Sequence, residues 1–330
     1  MRGNLAFCVK WIWVGLLFVA VEHGWAQVLV PASPPVGAFD GDRFLNIHED
    51  WTTPALKKGD LQPAPALVSI FEENAEHVVQ LIRVQWRAGD PIDLYVIRPK
   101  GVAKPPVIVW LYGFPAETDL FKDETFHKLV TKGGFAAVGF MTALTGHRFH
   151  DRPMSSWFVS ELQEALSTSA HDVQMVLDYL AARDDFDLSR VGLFGQGSGG
   201  SIGILAAAVD PRIKVLDTLD PWGDWPDWLA KTSLIEEGER GSYTTPEFLQ
   251  KVAPLDPVIW LPRVQSRKFR LQDAVFNRVT PGVCKEKLKS VIPRGGATVR
   301  YETASELQGV ADGSILDWIK RELNNVSAVE

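Results

Sequence analysis

The chain has 330 residues, 46% of them hydrophobic and 23% charged, with a formal net charge of −7. That length and balance suit one large α/β domain or two small ones. The acidic balance, with no run of lysine or arginine, does not suggest a nucleic-acid-binding surface, and none is expected.

The first element in chain order is a short apolar run, "WIWVGLLFVAV", preceded by Arg2 and Lys10 and followed by "GWA". A basic start, an apolar middle, and small residues at Gly24 and Ala26 before Gln27 predict a secretory signal peptide over residues 1–26. The run is too short to span a bilayer comfortably, and Glu22 and His23 close it. The expectation is an exported protein, periplasmic or secreted, with no stable membrane insertion after cleavage. Cys8 leaves with this segment. Cys284 then stands alone and has no intramolecular disulfide partner. In "PGVCKEKLKSV" it fits the apolar face of a helix as a small core residue.

Residues 27–75 read as an N-terminal lead-in, opening with the proline- and glycine-rich "VLVPASPPVGAFDGD". Residues 43–75 carry no firm element signal. The main domain is expected over 76–330. "HVVQLIRVQWRAGDPIDLYVIRP" predicts two strands joined by a hairpin at Gly89-Asp90-Pro91. "PPVIVWLYG" and "GFAAVGFMTAL" are continuous apolar runs, as strands buried on both faces require. "AHDVQMVLDYLAAR" sets Val173, Val176, Leu177 and Leu180 at helical spacing. "RVGLFG" predicts a strand and "SGGSIGILAAAV" a helix of small residues. "IKVLDTLD", "KFRLQDAVF" and "ATVRYET" are further strands, and "SILDWIKREL" is a closing amphipathic helix. Strands alternating with helices predict a mostly parallel central sheet covered on both faces. In such sheets the functional loops gather at the carboxyl ends of the strands.

One turn at that edge stands out. In "RVGLFGQGSGG" a strand meets a helix through a turn so tight that the residues two before and two after its apex must be small. An apex at Gly197 puts Gly195 and Gly199 at those flanks. An apex at Ser198 would put the long side chain of Gln196 there, so Gly197 is favoured. This segment, with "PPVIVWLYGFPAETD", "AAAVDPRIK", "VAPLDPV", "FNRVTP" and "SILDWIKREL", resembles the α/β-hydrolase superfamily, near its dienelactone-hydrolase, acetyl-xylan-esterase and prolyl-oligopeptidase-like members. The resemblance covers roughly residues 76–324. It implies an α/β-hydrolase fold with a nucleophile elbow and an oxyanion loop at Tyr112-Gly113-Phe114, where the Phe114 N–H would be one donor.

The resemblance also implies a Ser-His-Asp triad, and here the sequence departs from the pattern. The nucleophile position falls on Gly197. The acid position falls on Asn277 of "NRVTP". The histidine should follow the last strand, near Ser305 or Glu306, yet no histidine occurs after His171. A serine hydroxyl is a weak nucleophile without a base, and the base needs an orienting carboxylate. A degenerate triad is therefore expected, with a small carboxylate- or ester-like ligand held by Tyr112, Gly113, Phe114, Gly197, Ser198 and Trp222.

Two other readings compete. An active hydrolase could use Ser198 with His147 or His150 from "TALTGHRFHDRP" as base and Asp224 as orienter, drawn from Asp220, Asp224 and Asp227. A secreted scaffold would leave the pocket idle. Ser201 is expected to face packing. His147, His150, Asp151 and Asp220 do not make a recognised metal-ligand pattern. No metal and no cofactor are expected. Trp222, Trp225 and Trp228 would bury the aromatic face of a lid helix, or line the pocket as a stacking platform.

Overall fold

The computed structural model describes residues 39–58, 60–116, 118–145, 148, 158–266, 268–309 and 315–326. The signal-peptide segment, and His147, His150 and Asp151, lie outside them. Nine strands form one sheet: β1 (Leu67–Glu73), β2 (His77–Val84), β3 (Ile92–Pro99), β4 (Pro106–Leu111), β5 (Ala136–Phe140), β6 (Asp187–Gln196), β7 (Ile213–Leu219), β8 (Lys268–Ala274) and β9 (Ala297–Tyr301). Their order is β1-β2-β3-β5-β4-β6-β7-β8-β9. The first three strands run antiparallel to their neighbours, and from β5 through β9 every pairing is parallel.

The apolar runs become the central strands for the expected reason. All five residues of β5 are buried, and only Trp110 of β4 is partly exposed. A strand covered on both faces has no solvent side to mark with polar residues. The β2–β3 hairpin forms as read, with His77 opposite Pro99 and Val84 opposite Ile92.

Seven helices position the site: α1 (Glu124–Thr131), α2 (Leu162–Arg183), α3 (Ser198–Val209), α4 (Trp225–Lys231), α5 (Gly282–Ser290), α6 (Ala304–Gly309) and α7 (Ile315–Val326). On one face α2 and α3 bury Leu166, Val173, Leu177, Ile202 and Leu205 with Val191 and Leu193 of β6. On the other, α1 and α7 bury Phe126, Val130, Ile319 and Leu323 with Phe194. The alternation of β6 side chains between the two clusters follows from the two-residue period of a strand. Cys284 is fully buried on α5.

The lead-in expected to run to residue 75 contributes to the sheet. Leu67–Glu73 is its edge strand, paired with β2 and interrupted by a register shift between Ile70 and Glu72. Upstream of it, the chain lies on α2. Ser167 Oγ donates to the Thr53 carbonyl at 2.9 Å, and Gln174 Nε2 to that of Pro54 at 2.7 Å. A buried ion network reinforces the contact. Asp172 receives Trp86 Nε1 at 2.8 Å, Arg87 at 2.5 Å and Arg148 at 2.6 Å. Arg87 also pairs with Glu49, and Arg148 with Asp90. Burial opposes ionisation of Asp172, but the Arg148 and Arg87 guanidiniums outweigh it and hold the carboxyl below its usual range.

Candidate active site

The tight turn has its apex at Gly197. β6 ends at Gln196, Gly197 stands at φ 53° and ψ −120°, and α3 starts at Ser198. Residues with a Cβ rarely adopt that conformation. The flanks are equally constrained. A Cβ on Gly195 would lie 2.4 Å from the Gly199 carbonyl oxygen, and one on Gly199 would lie 2.5 Å from those of Leu111 and Tyr112. A Cβ at the apex, in contrast, would meet only Trp222 Nε1 at 3.4 Å, Gly113 Cα at 3.8 Å and Trp222 Cε2 at 4.0 Å. The turn has space for a side chain there, and the sequence supplies none.

The loop after β4 packs directly on the turn. The Phe114 N–H donates to Ser198 Oγ at 2.9 Å. Ser198 is fully buried. Its hydroxyl thus accepts the bond from the backbone donor that the loop was expected to offer a ligand. Tyr112 is buried against Phe121, with ring centroids 6.1 Å apart, and burial pushes its phenol up from the ordinary range. Ser201, one turn into α3, donates to the Trp222 carbonyl at 2.9 Å and to that of Gly197 at 3.2 Å, so it serves packing.

Asn277 follows β8 and turns toward the end of β7. Its Nδ2 donates to Asp220 Oδ2 at 2.8 Å, and its Oδ1 accepts the Val279 N–H at 2.8 Å. Asp220 Oδ1 accepts the Ala274 N–H at 3.0 Å and lies 3.1 Å from Lys285 Nζ. Lys285 also donates to the carbonyls of Ala274 and Asn277. Asp220 is therefore the hub joining the ends of β7 and β8, its carboxylate committed to three partners, Asn277, Ala274 and Lys285.

Asp224 stands just before α4 in a left-handed conformation at φ 61°, and its side chain makes no capping bond to the helix. Its N–H and that of Trp225 donate to Asp256 at 2.9 and 3.0 Å. Partial burial, and then the nearby Asp227 and Asp256 carboxylates, raise the Asp224 carboxyl. Asp227 pairs with Lys231. Glu306 is exposed on α6. Its N–H donates to Thr303 Oγ1 at 3.3 Å while its carboxylate accepts the Glu302 N–H at 2.9 Å, so both bonds serve the start of the helix.

Trp222, Trp225 and Trp228 are all buried, with Trp222 and Trp228 ring centroids 4.7 Å apart. Trp228 meets Trp222 at a tilt and Trp225 edge-on; Trp225 and Trp228 lie on α4, whereas Trp222 precedes the helix and borders the elbow. Phe114 closes on Trp222 at 6.4 Å between centroids. Of the histidines, His171 bonds Glu49 at 2.5 Å and the Thr53 carbonyl at 3.0 Å, while His77 and His127 meet at Glu72. That last group was invisible in the sequence, because its members come from three separate elements and follow no motif.

No known family profile matches the chain. Two curated relatives match it in part. One is described as a putative hydrolase, YtaP, of Bacillus subtilis, 25% identical over 176 residues, which are 47% of this chain and 57% of that protein. The other is an uncharacterised 31.7 kDa protein of Escherichia coli, 27% identical over 145 residues, 44% of this chain and 46% of that protein. The chain thus spans about half the length of the curated relatives it matches. Solved structures align more extensively. An acetyl xylan esterase from a Paenibacillus species superposes with a TM-score of 0.60 at 15% identity, over 78% of this chain and 88% of that one. Acetyl xylan esterase 1 from a Thermoanaerobacterium species gives 0.58 at 15% identity, over 74% and 85%. An S-formylglutathione hydrolase from Agrobacterium tumefaciens gives 0.55 at 14% identity, over 77% and 99%.

Proposed function

We propose that this chain, which has the α/β-hydrolase fold, is an exported protein that holds a small carboxylate- or ester-like ligand at its elbow without hydrolysing it. The observation that carries this reading is the apex: Gly197 occupies it in the strained conformation, with no side-chain oxygen to attack a carbonyl. The backbone remains suited to an anion. The Ser198 N–H opens the first turn of α3, a helix of 12 residues whose N-terminus favours negative charge. The Phe114 N–H becomes a second donor once the Ser198 hydroxyl turns away.

A nucleophilic Ser198 is a poorer fit. It lies one residue past the apex, is fully buried, and spends an oxygen lone pair on Phe114. The carboxylate expected to orient a base has become an amide at Asn277, bound to Asp220.

The test is fluorophosphonate labelling of the mature protein beside Ser198→Ala, followed by titration with acetate and larger carboxylates read by tryptophan fluorescence. Silence in labelling and a saturable carboxylate response are expected. Labelling that vanishes in Ser198→Ala would establish a serine hydrolase and end the proposal. Silence in both assays would leave the scaffold reading.

A further inference from the structure

A second site lies on the antiparallel side of the sheet and shares no residue with the elbow. Glu72 sits near the end of β1, His77 opens β2, and His127 belongs to α1. Their ligating atoms all lie within 4.8 Å of one another. Both imidazoles are fully buried, and the Glu72 side chain is 34% exposed.

The hydrogen bonding around His127 leaves one position unbalanced. Its Nε2 is 2.8 Å from the Phe121 carbonyl oxygen, which only accepts, so Nε2 carries the proton. The Nδ1 of a neutral ring is then a bare lone pair. It is buried without a hydrogen-bond partner and faces Glu72 Oε2 at 3.5 Å. A lone pair opposite a carboxylate oxygen needs a donor hydrogen or a cation between them, and a metal ion satisfies both groups at once. His77 Nε2 closes the group, 3.2 Å from Glu72 Oε1. Asn74 fixes the turn, accepting the Glu76 and His77 N–H groups at 2.9 Å each and placing Nδ2 3.2 Å from Glu72 Oε1 and 3.1 Å from His77 Nε2.

We propose that Glu72, His77 and His127 form a binding site for a divalent transition-metal ion of the zinc class. Two imidazoles and a carboxylate are a zinc-type donor set, and the imidazoles disfavour magnesium or calcium. Metal–ligand bonds of about 2.0–2.1 Å in a tetrahedron set neighbouring ligand atoms about 3.3–3.4 Å apart. The 3.2 and 3.5 Å separations lie near that edge but run from the two different Glu72 oxygens, so the carboxylate turns one oxygen between the rings to complete the set. The Phe121 carbonyl on Nε2 is the outer partner that fixes a metal-binding histidine's tautomer. The exposed side of Glu72 leaves the fourth position to water. An ion here clips the β1–β2 hairpin to α1 and stabilises the folded state by mass action.

The test uses the full mature protein, stripped with EDTA and titrated with Zn2+ against a chromophoric chelator, beside His127→Ala and Glu72→Gln. The expected result is one equivalent bound by wild type, at least about tenfold weaker binding in both variants, and a Zn2+-induced rise in Tm confined to wild type. Co2+ substitution is expected to give the intense visible bands of tetrahedral coordination. Circular dichroism reports folding, and Glu72→Gln keeps the test valid if His127→Ala does not fold. The proposal is overturned by wild type that binds no Zn2+, or by binding unchanged in the folded variants. It is likewise overturned if 15N shifts show a His127 imidazolium that Zn2+ does not displace.

Discussion

Returning a side chain to the elbow separates a missing nucleophile from a missing catalytic set. Gly197→Ser and Gly197→Ala impose the same backbone strain at φ 53° and ψ −120°, and only the first carries a hydroxyl. The space is tight but open, since the nearest atom to a new Cβ is Trp222 Nε1 at 3.4 Å. Steric exclusion therefore adds little, and the cost is the dihedral strain, about 1–3 kcal/mol. For a chain of this length that corresponds to a Tm lower by roughly 2–5 °C in both variants. The assay is hydrolysis of p-nitrophenyl acetate beside fluorophosphonate labelling. Because Asn277 is tied to Asp220 and Glu306 caps α6, Gly197→Ser is expected to match Gly197→Ala in rate. If Gly197→Ser turned over ester well above Gly197→Ala, a working base would be in place, and the reasoning from the whole set of positions would be wrong. A Tm loss far beyond the stated range would instead refute the apex geometry.

Ser198→Ala removes the hydroxyl that accepts the Phe114 N–H. A ligand no longer competes with it, so carboxylate affinity is expected to rise roughly two- to tenfold, as the net worth of one hydrogen bond dictates; isothermal titration checks this, and weaker binding counts against it. Arg270→Met strips the guanidinium from Asp217, a fully buried carboxylate that Arg270 contacts at 2.5 and 2.9 Å. The loss is expected to be about 3–5 kcal/mol by urea denaturation. Burial already raises Asp217, and the variant raises it further. The folded state then keeps a proton that the unfolded state releases, so the deficit should be larger at pH 8 than at pH 5. Burial pushes the Lys320 ammonium down from 10.5 to about 8. Between those values the unfolded chain binds more protons, so wild-type stability should gain up to about 3 kcal/mol as pH rises through the window. Lys320→Met should lose that slope, and a slope kept by the variant would assign it to another group.

The sheet was legible where burial on both faces leaves an unbroken apolar run, as in β4 and β5. The elbow was legible because steric exclusion at Gly195 and Gly199 acts through neighbouring residues in the chain. β1 was not. "LVSIFEE" is an edge strand that ends in two glutamates, and its register shift breaks the two-residue alternation. The roles of Asp220 and Lys285 were hidden for another reason. Their bonds join the ends of β7 and β8 to α5, which only the completed sheet brings together. Asp224 could be named from the sequence, but its bracket with Asp256 depends on the same closure.

The Asp220 hub also restricts which sequences this corner of the protein can hold. Exchanging Asn277 for aspartate would replace the 2.8 Å amide bond by two facing carboxylates, with Lys285 as their nearby cation. Positions 277 and 220 are thus coupled: a carboxylate at 277 adds a cost that depends on the charge at 220. Freeing Asp220 from the Ala274 N–H would not open a route to an acid at 277, because that donor holds Oδ1 at 3.0 Å while Oδ2 is the oxygen that faces position 277.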